Sequence, residues 1–177
     1  MAGPDGNLWF TETSANKIGR ITVNGMLTEF SLSPSSCGPG VIAAGPDGNL
    51  WYTRGCPGFL GAAHPVPAVS VIGRITTQGV SEEFPASGRP ADITAGRDGS
   101  IWFTELDAGQ IGRISTAGGI TEYTIPTDFS EPFGIVAGPD GSLWFTESFG
   151  AKVGRISTSG NLAEFPLPSS PPHRRRS

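Results

Sequence analysis

The stretch Gly138–Glu147, which reads GPDGSLWFTE, decides the fold because almost the same ten residues occur four times along the chain. The other copies are GPDGNLWFTE at Gly3–Glu12, GPDGNLWYTR at Gly45–Arg54 and GRDGSIWFTE at Gly96–Glu105. Their tryptophans lie 42, 51 and 42 residues apart. Self-similarity at a period of roughly 20 to 50 residues is typical of repeat architectures, so each copy marks one structural unit.

Two further cassettes follow each copy and complete the unit. The Gly-Pro-Asp-Gly sequence suits a tight turn, since Pro presets φ and the final Gly accepts a positive φ. Asn24-Gly25 and its counterparts are typical of hairpins between neighbouring strands. Each unit is therefore predicted to be a meander of four antiparallel strands, A to D, which is the pattern of a β-propeller blade. The cassette Gly-Arg-Ile begins at Gly19, Gly73, Gly112 and Gly154, and a Glu-Phe or Glu-Tyr pair ends at Phe30, Phe84, Tyr123 and Phe165.

The number of strands predicts an incomplete propeller. Met1-Ala2 supplies only the tail of a strand A, so the first blade has strands B to D and the series has fifteen strands. An open strand edge invites pairing with another chain, so we predict a partial or assembling propeller that self-associates through its open edges. We expect one all-β domain over residues 1–168, with four blades at about 1–33, 34–86, 87–127 and 128–168, followed by a disordered basic tail at 169–177.

Composition and charge narrow the classes of function. The 177 residues suffice for one domain, and 26 Gly with 16 Pro fit a turn-rich β protein, while ten Phe and four Trp argue against disorder. A net charge of -4 offers no basic surface, so neither nucleic acid nor an anionic membrane is expected as a partner. Residues 1–6 lack the features of a signal peptide, which predicts a cytoplasmic protein as the sequence stands and a secreted one if the N-terminus is truncated.

The amino-acid sequence of the cassettes resembles that of the virginiamycin B lyase (streptogramin lyase) family. The likeness covers residues 1 to about 168 and rests on GPDGNLWFTE, on KIGRI at Lys17–Ile21 and on LTEF at Leu27–Phe30. It implies a seven-bladed propeller, of which four blades are just over half. It also implies a carbon–oxygen lyase of antibiotic resistance, which opens a cyclic depsipeptide of the streptogramin B type by elimination across its ester bond, with magnesium as the usual cofactor.

Such an elimination requires a base that removes a proton next to a carbonyl and a metal that stabilises the enolate. Histidine is a natural base near neutral pH, and the chain has two, His64 in a loop insertion and His173 in the tail. Neither belongs to a repeat cassette, so we expect weak or no activity in this short form. The candidate base is His64, and the candidate magnesium-binding and ligand-binding carboxylates are those that end strand B on the same face, Glu12, Glu105 and Glu147.

Residues that recur in every blade are interpreted as scaffold, and residues that break the symmetry as parts of a site. The four tryptophans are expected to pack between blades. The second blade breaks the symmetry, with a separation of 22 positions from Trp51 to Gly73 against 10 in the other blades, and with Arg54 in place of the recurrent Glu. Arg54 is therefore a candidate binding residue. The recurrent Arg of strand C and Glu of strand D are expected to pair across neighbouring strands, as Arg20–Glu29, Arg74–Glu83, Arg113–Glu122 and Arg155–Glu164.

Length variation is confined to one face of the predicted propeller. Because the strands alternate in direction, the B–C loops and the D–A connections lie on one face, which we call the loop face, and the tight turns lie on the other. Cys37 lies in a D–A connection and Cys56 in the next B–C loop, so a Cys37–Cys56 disulfide would tether the insertion. A reducing compartment would instead leave both as thiols. Two Cys and one His lack the paired spacings of a structural zinc site.

Three functions remain open at this point. They are a streptogramin-lyase-like enzyme or a fragment of one, a non-catalytic propeller that binds a small molecule, cyclic peptide or protein on its loop face, and a gluconolactonase-like metal hydrolase. The last has the least support, because the acidic and Asn ligands that it needs on inner strands are not visible. The sequence has no phosphate-binding Gly loop, no nucleophile elbow and no His-Glu-x-x-His helix.

Overall fold

A computed structural model describes residues 1–35, 37–56 and 69–168. These residues form fifteen β-strands in four antiparallel sheets, with one 3₁₀ turn at Thr13–Ala15. The prediction of an all-β arc of propeller blades with fifteen strands is confirmed. Within the described ranges, no helix has the length and hydropathy needed to cross a membrane. The predicted disordered tail at 169–177 lies outside the described residues.

The strands follow one another around the four blades in chain order. The first blade has three strands, β1 (Leu8–Glu12), β2 (Lys17–Ile21) and β3 (Leu27–Ser31). The second has β4 (Ile42–Ala44), β5 (Leu50–Cys56), β6 (Val69–Ile75) and β7 (Ser81–Pro85). The third has β8 (Pro90–Ala95), β9 (Ile101–Glu105), β10 (Gln110–Ile114) and β11 (Ile120–Thr124). The fourth has β12 (Pro132–Ala137), β13 (Leu143–Glu147), β14 (Lys152–Ile156) and β15 (Leu162–Pro166).

Strand A differs among the blades. In the first blade only Ala2 forms a bridge, to Leu8, so β1 has β2 as its single neighbour among the described strands. In the third and fourth blades strand A begins at Pro90 and Pro132, and an irregularity shifts its register against strand B. Met1 exchanges two backbone hydrogen bonds with Trp9, each 2.8 Å long, so among the described residues the edge of β1 is open only beyond Trp9.

A hydrogen bond from each tryptophan fixes the turn that precedes it. The indole Nε1 donates to Oδ1 of the turn Asp at 2.9 to 3.2 Å in all four blades. Each indole also stacks on the strand-D aromatic ring, with centroids 5.5 to 5.8 Å apart. The repeated cassettes thus encode one packed unit. The stacked pairs are Trp9–Phe30, Trp51–Phe84, Trp102–Tyr123 and Trp144–Phe165.

The recurrent arginines pair with the turn Asp, and the expected pairing with the strand-D Glu is wrong. The register shows why, since Arg20 lies opposite Trp9 and Thr28, whereas Glu29 lies opposite Gly19. Successive side chains point to opposite faces of a strand, so this Arg and this Glu do not share a face. The observed pairs, from 2.8 to 3.9 Å, are Arg20–Asp5, Arg74–Asp47, Arg113–Asp98 and Arg155–Asp140.

The hydrophobic core lies between blades and is built from one repeated contact. Trp9 of the first blade is fully buried and packs with Leu50, Tyr52 and Ile75 of the second. The C–D turn of the later blade covers the outer part of the contact, because a Cβ at Gly79 would lie 2.1 Å from the Phe30 ring. The expectation that the tryptophans pack between blades therefore holds for the first three. The other two contacts join Trp51 to Ile101, Phe103 and Ile114, and Trp102 to Leu143, Phe145 and Ile156.

Candidate functional site

The third and fourth blades form a pocket on the loop face. The B–C loop at 106–109 and the D–A connection at 128–131 enclose a cavity of about 250 Å³. Phe129 stands at its edge with 88% of its surface exposed. Three carboxylates, Asp107, Asp128 and Glu131, also line it. An exposed aromatic ring beside several hydrogen-bond acceptors can hold a ligand that has both apolar groups and N–H donors.

The backbone beside this pocket is held in a rare conformation. Phe129 has a φ of 53° and Glu131 a φ of 45°, in the left-handed region that residues with a Cβ seldom adopt. Ser130 between them is fully buried, and its hydroxyl has no hydrogen-bond partner within the described residues. Such backbone strain is concentrated at functional loops in proteins. It supports a functional rather than a purely connecting role for 128–131.

The recurrent Glu at the end of strand B lies next to the strand-D Glu of its own blade. In the third blade Glu105 is fully buried and accepts hydrogen bonds from the Gly88 N–H at 3.0 Å and the Ser87 hydroxyl at 3.4 Å. Burial raises the pKa of Glu105, and the negative charge of Glu122 raises it further. Glu105 is thus held inside the blade by its own neighbours.

In the fourth blade two carboxylates share one polar cluster. Burial raises the pKa of Glu147 to about 7, and the charge of Glu164 adds to the effect. Burial alone would raise the pKa of Glu164 as well, but hydrogen bonding from Thr127 and the charge of Lys152 hold it below the usual range. The Thr127 hydroxyl donates to Glu164, and Lys152 Nζ lies 3.4 Å from the same carboxylate. Glu147 therefore keeps its proton to a higher pH than an ordinary carboxyl group does, but it is only 2% exposed.

Glu12 has a related environment in the first blade. Its Oε1 is buried without a hydrogen-bond partner within the described residues, and beside it Lys17 forms an ion pair with Glu29 at 2.6 Å. The side-chain hydrogen bond and charge of Lys17 lower the pKa of Glu29, and a side-chain hydrogen bond with Glu12 lowers it further. The carboxylate pair of this blade is therefore balanced by a lysine, as in the fourth blade.

In the other blades a strand-B Glu lies beside a strand-D Glu. In the second blade Arg54 takes the place of the strand-B Glu. Its side chain is 1% exposed and forms an ion pair with Glu83. The guanidinium also donates to the Ser33 and Cys37 carbonyls, each at 2.6 Å, and to Asn16 Oδ1 at 3.1 Å. These bonds join the first and second blades. The structure places Arg54 in the interior as a clamp between blades and not, as expected, on a surface that a ligand reaches.

The three candidate magnesium ligands are not brought together. Glu12, Glu105 and Glu147 lie in different blades, and each is engaged with groups of its own blade. Within the described residues, no group of three or more His, Cys, Asp and Glu side chains is placed to hold a metal ion. The described residues therefore do not fit a magnesium site. The candidate base His64 and the second histidine, His173, lie outside the described residues.

A disulfide joins Cys37 to Cys56, with their Cα atoms 6.0 Å apart. It links the D–A connection before the second blade to the end of β5, where the inserted loop begins. Cys37 also supplies a carbonyl to Arg54 at 2.6 Å, so the disulfide and the arginine lie in one cluster. This is the cysteine pair that the loop-face topology brings together.

The pocket at Phe129 is the part of the loop face that the sequence analysis missed. The D–A connection at 128–131 reads Asp-Phe-Ser-Glu, and the corresponding connections of the other blades do not repeat it. The same test of broken symmetry that singled out Arg54 would have found it. The left-handed backbone at Phe129 and Glu131, in contrast, could not be predicted from these residue types.

Comparisons with known proteins agree with this architecture. The family model of the virginiamycin B lyase family matches residues 1–174. A curated virginiamycin B lyase from Nocardia farcinica (strain IFM 10152) is 34% identical over 159 residues, covering 75% of this chain and 56% of that protein. The chain thus spans about half the length of the curated relative that it matches. A putative gluconolactonase of known structure, 14% identical with a TM-score of 0.64, is similar in fold alone.

Two solved structures are similar at higher identity. Virginiamycin B lyase from Staphylococcus aureus, in its selenomethionine form, is 38% identical with a TM-score of 0.85, and the match covers 96% of this chain and 55% of that one. A catalytically inactive histidine-to-alanine variant of the Staphylococcus aureus enzyme with quinupristin is 40% identical with a TM-score of 0.83, at the same coverage. A histidine is therefore essential in that enzyme.

Proposed function

Because this chain belongs to the virginiamycin B lyase family, we propose that it binds a cyclic depsipeptide of the streptogramin B type on its loop face and opens the ring only weakly. The observation that carries the proposal is the pocket of about 250 Å³ at Phe129. Its exposed ring offers a stacking surface for apolar side chains of the ligand. The carboxylates of Asp107, Asp128 and Glu131 offer acceptors for its amide N–H groups.

The ring-opening reaction needs a base at the ligand. In the elimination, a base removes the proton on the carbon next to a carbonyl, and the electron pair of that bond forms a carbon–carbon double bond. The carbon–oxygen bond of the ester breaks, and its oxygen leaves as part of a carboxylate. Of the described residues, Glu147 has a pKa near neutral, but its burial keeps it from a ligand on the loop face. A slow reaction follows, because losing a positioned base typically costs about 10² to 10⁴ in rate.

No step of this proposal runs through a metal, because the described carboxylates do not fit a magnesium site. The second candidate function is a non-catalytic propeller that binds the same ligand or a protein at the same pocket. Two of the three recurrent strand-B carboxylates, Glu105 and Glu147, are buried, and this favours the non-catalytic function. Both candidate functions predict binding at the pocket, and only the lyase predicts turnover.

The test measures binding and turnover separately. Calorimetric titration with a type B streptogramin should show binding that Phe129→Ala weakens by about tenfold, as expected for removal of an exposed aromatic anchor. The matched control is Phe149→Ala, since Phe149 is also an exposed loop-face phenylalanine but does not line the pocket. Absence of binding, or equal losses in the two variants, would overturn the proposal.

Turnover is followed by chromatography coupled to mass spectrometry, with and without magnesium. Elimination gives an open chain of unchanged mass, whereas hydrolysis adds one water. We expect slow conversion at constant mass. Binding without conversion would establish the non-catalytic function, and fast conversion that His64→Ala abolishes would show that the inserted loop supplies the base.

A further inference from the structure

A polar pocket lies opposite the loop face, among the tight turns where the first and second blades meet. We call it the turn-face pocket, and its volume is about 530 Å³. Its walls are two neighbouring blades, and the residues from the first blade lie on the side that packs on the second. The lining residues are Asp5, Asn7, Arg20 and Phe30 of the first blade and Thr77 and Gln78 of the second.

Arg20 is held in place at this pocket, but its donors are not all used. Its Cζ lies 5.7 Å from the ring centroid of Trp9 and 5.5 Å from that of Phe30, and its Nη1 donates to the Thr77 carbonyl at 3.0 Å. Nη2 makes a long bond of 3.4 Å to the Thr28 hydroxyl, and Nε has no partner within the described residues. A guanidinium has five N–H donors, and this side chain is 25% exposed. Spare Nη donors of Arg20 can therefore reach a ligand in the pocket.

Two amide side chains beside Arg20 offer further groups. Asn7 Nδ2 donates to Asp5 Oδ2 at 2.8 Å, and Gln78 Nε2 donates to Thr77 Oγ1 at 2.9 Å. These bonds orient the amides and leave Asn7 Oδ1 and Gln78 Oε1 without a hydrogen-bond partner in the part of the chain that the structure describes. Each amide nitrogen also keeps a second N–H. The pocket thus presents hydrogen-bond donors and acceptors side by side.

The next two contacts between blades bond their arginines more fully. At the second contact Arg74 Nη2 forms an ion pair with Glu82 at 2.6 Å, at the position where the first blade has Thr28. At the third contact Arg113 Nε donates to Asp98 Oδ2 at 2.8 Å. The C–D turn differs too, since a long amide at the first contact is replaced by small side chains at the others. The turn-face pocket is therefore a departure from the repeat that blade architecture does not require. The corresponding turn residues are Gln78, Ala117 and Ser159.

We propose that the turn-face pocket binds a neutral sugar through one pyranose ring. Arg20 and Asp5 carry opposite charges 3.9 Å apart, so the pocket has no net charge with which to attract an ion. A sugar hydroxyl both donates and accepts hydrogen bonds, which matches N–H donors and amide oxygens that lie side by side. The half-buried ring of Phe30 offers apolar surface to the C–H groups of the sugar. This site is separate from the pocket at Phe129, so it goes beyond the proposed function.

A nuclear magnetic resonance titration of the isotope-labelled full chain tests the proposal. The probes are methyl β-D-glucopyranoside, methyl β-D-galactopyranoside and methyl α-D-mannopyranoside, each added alone. At least one of them should shift the indole N–H signal of Trp9, because this group donates to Asp5 in the pocket wall at 2.9 Å. The indole signal of Trp51, which makes the same bond to Asp47, should stay in place. The amide signal of Phe129 on the loop face should not move either.

Substitutions locate the bound sugar. Gln78→Ala should weaken binding by about three- to tenfold, because it removes one or two hydrogen bonds from an exposed turn. Asn7→Ala should have a similar effect. Its matched control is Asn49→Ala, since Asn49 makes the same bond to Asp47 in the second blade but does not line the pocket. Thermal unfolding of each variant shows whether the blades remain folded.

Four results would contradict the proposal. Absence of shifts with all three pyranosides would overturn it, and equal losses for Asn7→Ala and Asn49→Ala would overturn the location. Shifts with acetate or phosphate but with no pyranoside would replace the neutral ligand by an anion held by Arg20. Shifts confined to the signal of Phe129 would assign the sugar to the loop face. The titration with a streptogramin is a separate measurement, so none of these results decides the proposed function.

Discussion

Gly154 lies directly against the ring of Phe145, so close that a Cβ on the glycine would lie 2.0 Å from the ring Cζ. The two residues are opposite each other on β14 and β13. The same relationship joins Gly19 to Phe10, Gly73 to Tyr52 and Gly112 to Phe103. The glycine of the Gly-Arg-Ile cassette is thus required by the neighbouring ring, and not by a turn.

Gly112→Ala should destabilise the third blade. The added methyl group would overlap the Phe103 ring, which is completely buried and cannot move aside without disturbing the next contact. We expect a loss of about 1 to 3 kcal/mol in the free energy of unfolding, measured by urea denaturation. Gly119→Ala is the control, because its Cβ would be no closer than 3.4 Å to a flexible serine side chain. Equal losses in the two variants would contradict the assigned role of the ring.

Arg54→Met should lower the free energy of unfolding by more than the loss of any exposed ion pair does. It removes the cation from Glu83 and leaves the carbonyls of Ser33 and Cys37 without their donor. Removing one partner of a buried pair typically costs about 3 to 5 kcal/mol, whereas exposed pairs contribute about 0 to 1 kcal/mol. The control is Arg89→Met, which breaks the exposed pair with Asp107. Chemical denaturation that gave similar losses would show that Arg54 is not a clamp between blades.

Glu147→Gln should change how stability depends on pH. Between the ordinary Glu pKa of 4.5 and the raised value of about 7, the folded protein keeps a proton that the unfolded chain has lost. The free energy of unfolding of the wild type therefore falls as the pH rises through this window. Glutamine cannot ionise, so the Tm of the variant relative to wild type should rise from pH 4.5 to pH 7 and then stay level.

The scan stays above pH 4.5 because Glu164 acts in the other direction below it. The pKa of Glu164 is lowered, so its contribution is present above the ordinary value and is lost as the pH falls. Gln78→Asn, at an exposed position, is the control, because it changes no titratable group and should show a constant difference. A difference for Glu147→Gln that is equally flat would contradict the raised pKa.

Reduction of the Cys37–Cys56 disulfide should lower stability. The bond closes a loop with a sequence separation of 19, for which the chain-entropy model gives about 3 kcal/mol. The double variant Cys37→Ser/Cys56→Ser should therefore unfold at lower denaturant concentration. Addition of a reductant should lower the denaturation midpoint of the wild type to that of the variant and leave the midpoint of the variant unchanged. If the reductant has no effect on the wild type, the bond does not form in solution.

The blades were predictable because their signals are local. Turn residues such as Asn24-Gly25 and a regular period fix where strands begin, and these depend on a few neighbouring residues. The pairing of Arg20 was predicted wrongly because charge complementarity was considered without the register. Alternation along β3 turns Glu29 away from Arg20, and Asp5 in the preceding turn takes its place.

The candidate site was less predictable because it depends on distances between blades. Glu105 and Glu147 recur at equivalent positions, yet their neighbours differ, since Glu105 accepts hydrogen bonds from Ser87 and Gly88 whereas Glu147 lies beside Thr127 and Lys152. The pocket at Phe129 requires a left-handed backbone that bulky side chains normally disfavour. Local residue preferences therefore argue against the conformation that forms it.

At each described contact between blades, the strand-B tryptophan of one blade packs on residues of strands B and C of the next, and this repetition has a consequence for how such chains change over generations. A unit of 42 residues, the spacing from Trp102 to Trp144, carries both halves of the contact that it needs. Unequal recombination within the gene could insert or delete a whole unit, and each new neighbour would still meet a matching surface. The number of blades can therefore drift without any new interface having to evolve.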